Sequence, residues 1–87
     1  GLRADMMSCY SSRKDVSRIF LCREGRTFSF VIVVDDSTSD TVFDYNELGF
    51  MLSERYQDIE DFMVIDEEEA KGCSQLLSSY DKIYQRG

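Results

Sequence analysis

Oxygen-bearing side chains are spaced along residues 36–47 in the way that ligands are spaced in an EF-hand calcium loop. They occupy loop positions 1, 3, 5, 9 and 12, and an apolar residue stands at position 8. However, Thr41 occupies position 6, where the sharp turn of such a loop needs glycine, and the preceding segment has the composition of a strand. We therefore assign no metal ligand, and a calcium-binding loop at residues 36–47 stays as an alternative.

The sequence lacks the motifs that most often carry catalysis. It contains no histidine, so the usual general base near neutral pH is missing. It also has no P-loop, no GxSxG motif and no dinucleotide-binding glycine run. The carboxylate pairs Asp35–Asp36 and Glu60–Asp61 are adjacent in sequence, and adjacent residues of a strand or helix point in different directions. We predict a protein that is not an enzyme, with no catalytic residues and no cofactor.

The three cysteines, Cys9, Cys22 and Cys73, form no recognisable metal or redox motif. None has CxxC spacing, no histidine is available as a further ligand, and three thiols cannot all pair within one chain. We predict three reduced thiols packed in the core.

Negative charge is concentrated in the middle of the chain. The formal net charge is -7, but residues 35–69 contain thirteen carboxylates and one arginine, a local charge of -12. Such a field repels nucleic acid and anionic lipid, and it attracts basic protein surfaces. We therefore expect a partner with a basic protein surface, and neither nucleic acid nor a membrane.

Helix ends account for part of this acidity, because carboxylates stabilise the positive end of the helix dipole. Six carboxylates lie at the starts of two predicted helices: Asp44, Glu47, Asp66, Glu67, Glu68 and Glu69. Seven have no such role: Asp35, Asp36, Asp40, Glu54, Asp58, Glu60 and Asp61. Solubility is one explanation for the seven, and recognition of a cationic partner is the other.

Phe50 is a candidate anchor for such a partner. On a helix that begins at Asp44, Phe50 points almost opposite the apolar stripe, and acidic residues lie near it. Aromatic residues often dominate the binding energy of protein interfaces. The predicted partner-binding residues are Glu47, Phe50, Glu54, Asp58 and Asp61. The alternative is that Phe50 packs under the N-terminal segment or a neighbouring loop.

A β-hairpin is predicted over residues 16–35. Val16–Cys22 is apolar and partly β-branched, Arg23–Arg26 contains a glycine for the turn, and Thr27–Asp35 has the pattern of a second strand. Apolar side chains occupy both faces of that second strand: Phe28, Phe30, Ile32 and Val34 on one, Val31 and Val33 on the other. We predict a central strand, covered on both faces by helices or by another subunit.

Two amphipathic helices are predicted after the hairpin. Asp44 and Glu47 have the spacing of a capping box, as do Asp66 and Glu69. The first helix has an apolar stripe of Leu48, Met51, Leu52, Tyr56 and Ile59. The second has an apolar face of Ala70, Cys73, Leu76, Leu77, Tyr80, Ile83 and Tyr84. A buried strand, Phe62–Ile65, is predicted between the helices.

These elements predict one α+β domain over residues 1–87, in which a small, largely antiparallel sheet packs against two amphipathic helices. The sheet would contain the hairpin and one or two further strands. Residues 1–14 fit either a helix or a short strand. The longest apolar stretch, Phe30–Val34, is too short to span a membrane, and no signal peptide is recognisable, so we expect a cytoplasmic protein.

Two kinds of binding protein agree with these features. The first is an inhibitor, an immunity-type protein or a nucleic-acid mimic whose acidic region docks on a basic partner. The second is a self-associating homodimer or an adaptor, whose interface is apolar surface or an open sheet edge and whose acids confer only solubility.

Overall fold

Four strands form one mixed sheet in the computed structural model, which describes all 87 residues. The elements are α1 (Leu2–Tyr10), β1 (Val16–Glu24), β2 (Thr27–Val34), α2 (Ser39–Arg55), β3 (Ile59–Asp66), α3 (Glu67–Gly72), α4 (Ser74–Leu77) and β4 (Asp81–Gln85). The strand order is β3-β2-β1-β4. β1 is antiparallel to β2 and β4, whereas β2 is parallel to β3. The predicted α+β class and largely antiparallel sheet are confirmed.

The hairpin and its central strand are as predicted. Gly25 in the turn has a φ of 60°, a conformation that costs glycine little. β2 lies between β1 and β3, and its five residues from Phe30 to Val34 are buried. The predicted strand at Phe62–Ile65 is also present, within the longer β3.

Helices cover both faces of the sheet, which explains why β2 is apolar on both sides. One face packs Phe30, Ile32 and Val34 against α1 and α2. The other face packs Val31 and Val33 against α3 and α4.

The N-terminal segment, which the sequence predicted as either a helix or a short strand, is the helix α1. Its residues Leu2, Met6 and Tyr10 are four positions apart, so they lie on one face, and all three are buried. The hydroxyl of Tyr10 donates to the main-chain oxygen of Tyr45 at 2.9 Å, which ties α1 to α2.

The predicted start of α2 was wrong. The helix begins at Ser39, and the N-cap is Thr38, whose side-chain oxygen accepts from the backbone N–H of Thr41 at 3.3 Å. Asp44 is therefore inside the helix and caps nothing. The helix ends at Arg55, so Ile59, which was predicted on its apolar stripe, belongs to β3.

The second predicted helix begins as expected but is much shorter. The Asp66 and Glu69 capping box is confirmed in both directions. However, α3 ends at Gly72 and α4 at Leu77, and residues 81–85 form β4. Tyr84 therefore pairs with Ile19 of β1 and lies on no helix. The physical reason is the open edge of β1, whose backbone hydrogen bonds are satisfied by a fourth strand.

All three cysteines are free thiols of intermediate burial. Cys9 packs against the cluster under α1 and α2, and Cys73 packs against the cluster under α3 and α4. None of the helices combines the length and the apolar character that crossing a membrane requires.

Candidate protein-binding surface

The outer face of α2 carries most of the exposed large apolar side chains of the molecule. Phe43, Phe50 and Met51 are 63%, 61% and 65% exposed, and only Leu76, at 45%, is exposed elsewhere. At 100° per residue, all three fall within an arc of about 120° on α2. The same arc contains four exposed carboxylates, which are Asp40, Asp44, Glu47 and Glu54. We call these seven residues the α2 outer face.

The close approach of α2 to β3 fixes the position of this face. A Cβ atom on Gly49 would lie 2.4 Å from the ring of Phe62, so only glycine allows the helix to lie so near the strand. The Phe62 ring stacks on Phe30 with centroids 5.2 Å apart. Phe50 meets the same ring edge to face at 5.3 Å. One edge of Phe50 is thereby held, while most of its surface stays open to solvent.

None of the carboxylates on the α2 outer face is part of an ion pair. The three ion pairs of the protein join Arg18 to Glu67 at 3.0 Å, Arg55 to Asp5 at 3.5 Å, and Arg86 to Asp35 at 2.7 Å. Hydrogen bonds from the Arg86 guanidinium hold the pKa of the Asp35 carboxyl below its usual range. Of the seven acids predicted to have no helix-end role, Asp35 is thus neutralised within the chain, and Asp40 does lie in the first turn of α2. The four carboxylates of the α2 outer face remain without an ion-pair partner.

Three of the predicted partner-binding residues lie together. One open groove of about 290 Å³ is lined by these three residues, Glu47, Phe50 and Glu54, and by Met51. The sequence placed these three side chains correctly relative to one another because all of them lie on one helix. The helical rotation alone determines their arrangement.

The other two predicted residues lie elsewhere. Asp58 is exposed in the turn between α2 and β3, and its main-chain oxygen accepts from the backbone N–H of Phe28 at 2.8 Å. Asp61 lies in β3 next to Phe62, so its side chain points to the opposite face of the sheet. There its charge contributes to raising the pKa of Tyr80, after the larger effect of burial. Asp61 is therefore separated from Phe50 by the sheet.

Sequence reasoning missed Phe43 and misplaced Met51. Met51 was predicted on the buried stripe, but it lies on the α2 outer face. Phe43 was placed before the helix because the start of the helix was set at Asp44. Counting the helical rotation from Ser39 puts Phe43 on the same face as Glu47, one turn away, and Phe50, two turns away, so a correct N-cap would have revealed it.

The alternative of a calcium loop at residues 36–47 was wrong. Residues 39–47 form the first half of α2, so Asp40, Asp44 and Glu47 are spread along a helix instead of converging on one point. No group of three or more His, Cys, Asp or Glu side chains is arranged to hold a metal ion.

Comparison with known proteins supports the fold. No protein-family model matches the chain, and no curated protein matches it either. Among solved structures, a chain in the complex of tri-AMPylated Shewanella oneidensis HEPN toxin with MNT antitoxin is similar, with a TM-score of 0.67 and 11% sequence identity. The similarity covers 98% of this chain and 71% of that chain. At this identity the likeness describes the arrangement of helices and strands.

Proposed function

We propose that this chain is a cytoplasmic, non-enzymatic protein-binding domain that docks a partner on the α2 outer face. The observation that carries the proposal is that Phe43, Phe50 and Met51 are all exposed on one side of α2, among carboxylates that have no ion-pair partner. Exposed apolar side chains rimmed by polar groups are typical of protein interaction sites.

The chemistry of the α2 outer face defines the partner. Its apolar centre fits a partner surface with apolar pockets, and its four carboxylates fit lysine and arginine side chains around those pockets. Phe50 is the best anchor, because its contact with Phe62 restricts the ring before binding and so lowers the entropy that binding costs. The carboxylates would mainly accelerate association and select a basic surface.

The similar fold of a chain in a complex between a toxin and its antitoxin supports a protein partner. We propose an inhibitor-like role, comparable to that of an antitoxin, in which the acidic domain covers a basic surface of another protein. An immunity-type protein or a nucleic-acid mimic would act in the same way, by docking its acidic surface on a basic surface of the target.

The test compares three forms of the chain as bait in affinity capture. The outer-face variant carries Phe43→Ser, Phe50→Ser and Glu54→Lys. The matched control carries Leu76→Ser and Glu24→Lys, which change an exposed apolar residue and an exposed acid elsewhere. We expect the wild-type chain and the control to retain the same partner, and the outer-face variant to bind it at least about 30-fold more weakly, as loss of a hot spot does.

Two further measurements make the result decisive. Affinity for the captured partner should fall as salt rises from about 50 to about 150 mM, because the carboxylates act through a screened field. Thermal melts should show that all three forms are folded. Equal capture by the wild-type chain and a folded outer-face variant would refute the proposed surface.

Self-association is the second candidate function, because the sheet has two open edges. β3 and β4 each have a single neighbour, so each has one row of backbone groups free for another strand. Light scattering at low and physiological salt separates the candidates. A dimer that persists or strengthens with salt, and is unchanged by the outer-face substitutions, would favour an edge-to-edge homodimer.

A further inference from the structure

A second cleft, away from α2, has the opposite charge to the rest of the molecule. It has a volume of about 510 Å³, it is lined by residues of β1, α3, β4 and the segments beside them, and none of the lining residues is apolar. Four cationic side chains, Arg18, Lys71, Lys82 and Arg86, face two carboxylates, Asp35 and Glu67. The cleft is thus net cationic in a protein whose net charge is -7.

The two carboxylates hold the two arginines in fixed orientations. Glu67 accepts from Nε and Nη2 of Arg18 at 3.2 and 3.0 Å. Asp35 accepts from Nη1 and Nη2 of Arg86, both at 2.7 Å. Paired, planar contacts of this kind leave little freedom to a guanidinium group. The arginines therefore need little further ordering to receive a ligand.

The cleft has more hydrogen-bond donors than acceptors. A guanidinium has five N–H donors. Nη1 of Arg86 also donates to the main-chain oxygen of Lys14 at 2.7 Å, but Nη1 of Arg18 and Nε of Arg86 have no acceptor in the protein. Lys71 makes no ion pair, and Lys82 donates only to the side chain of Gln85. The unused groups are all donors and the excess charge is positive, so the complementary ligand is an anion rich in acceptors.

We infer that this cleft binds a phosphate group, either as the free ion or as a phosphomonoester. Phosphate offers several acceptor oxygens and a double negative charge, which match two lysines beside two oriented arginines. The absence of apolar lining residues indicates that the phosphate itself is recognised, instead of an attached aromatic or aliphatic group. This site shares no residue with the α2 outer face, so either proposal can fail without the other.

The experiment titrates the chain with inorganic phosphate and with glycerol 3-phosphate, followed by NMR chemical shifts and calorimetry. The test variant is Lys71→Gln with Lys82→Gln, which removes the two lysines and leaves both arginine pairs intact. The control is Arg3→Gln with Arg26→Gln, which removes the same amount of charge from exposed positions outside the cleft. We expect binding at the cleft to weaken about tenfold or more in the test variant and to stay within about twofold in the control.

The two ligands distinguish the source of the phosphate. Equal affinities would indicate that the free ion is sufficient, and tighter binding of glycerol 3-phosphate would indicate an ester; both results support the site. The inference is overturned if neither ligand shifts the resonances of the cleft residues at about 10 mM, or if the lysine variant binds as tightly as the wild-type chain.

Discussion

The ring of Phe62 connects the hydrophobic core to the proposed binding surface. It stacks on the buried Phe30 and touches the exposed Phe50 edge to face. Gly49 lies directly above it, with no side chain in between. The position of Phe50 therefore depends on a residue that has no side chain of its own.

Replacement of Gly49 by alanine should destabilise the fold. In an exposed helix the change would be favourable by about 1 kcal/mol, because alanine has the higher helix propensity. Here the new methyl group would meet a ring that Phe30 holds in place, and overpacking of this kind costs about 1–3 kcal/mol. Urea unfolding should therefore show a lower free energy of unfolding for Gly49→Ala.

Gly72→Ala is the matched control, because Gly72 is the last residue of α3 and a Cβ atom there would meet nothing within 4 Å. Its stability should equal or exceed that of the wild-type chain. A Gly49→Ala variant as stable as this control would show that the helix and the strand are not in close contact.

At the scale of elements, the start of α2 decides which side chains form the surface. The threonine cap at Thr38 adds five residues to a helix that was expected to begin at Asp44. Those residues place Phe43 and Asp40 on the α2 outer face. The same extension places Asp44 in the helix interior, where its carboxylate is not needed for capping.

Substitution of the two candidate caps tests this assignment. Thr38→Ala should lower the free energy of unfolding by about 1 kcal/mol, because it leaves the backbone N–H of Thr41 without its partner. Asp44→Ala should leave stability unchanged or slightly higher, since alanine is the better helix former. Thermal and urea unfolding of both variants measure the difference. If Asp44→Ala were less stable than Thr38→Ala, the result would indicate that the helix begins at Asp44.

At the scale of the whole molecule, charge is separated between two surfaces. The α2 outer face has carboxylates without ion-pair partners, whereas the cleft between β1, α3 and β4 is net cationic. Two of the three ion pairs lie within that cleft, where they order arginines. The four unpaired carboxylates of the α2 outer face therefore present a negative field to a partner that approaches this helix.

Stability should fall in acid because hydrogen bonds lower the pKa values of four carboxyl groups. The groups and their main donors are Asp5 with Tyr56, Asp35 with Arg86, Asp66 with the backbone N–H of Glu69, and Glu67 with Ser17. A carboxyl whose pKa is lower in the folded state stabilises the fold above its unfolded pKa, and that contribution is lost as the pH falls. We expect the urea midpoint to drop as the pH falls below about 4.5.

The variant Asp35→Asn with Glu67→Gln should show a smaller decrease of the urea midpoint between pH 7 and pH 3 than the wild-type chain. Asp36→Asn with Asp58→Asn is the control, since it removes two exposed acids that form no ion pair and should keep the full decrease of the urea midpoint. Equal drops in all three proteins would mean that these two carboxylates contribute nothing to acid sensitivity.

Three residues of the proposed binding surface followed from local sequence alone. The relative positions of Glu47, Phe50 and Glu54 depend only on the rotation of a helix, and the hairpin and the Asp66 cap depend on residues within a few positions of one another. The apolar residues on both faces of β2 also predicted its central position in the sheet.

Only tertiary structure decided the rest, because the deciding contacts join residues far apart in sequence. Residues 81–85 have an apolar spacing that suits a helix, yet the open edge of β1 makes them a strand. The sheet separates Asp61 from Phe50, although the two are close in sequence. The cationic cleft forms only when the C-terminal end of the chain packs beside β1 and the end of β2, since Arg86 reaches Asp35 across 51 residues of sequence. No local pattern encodes such a pairing; it arises when the sheet and its helices pack together.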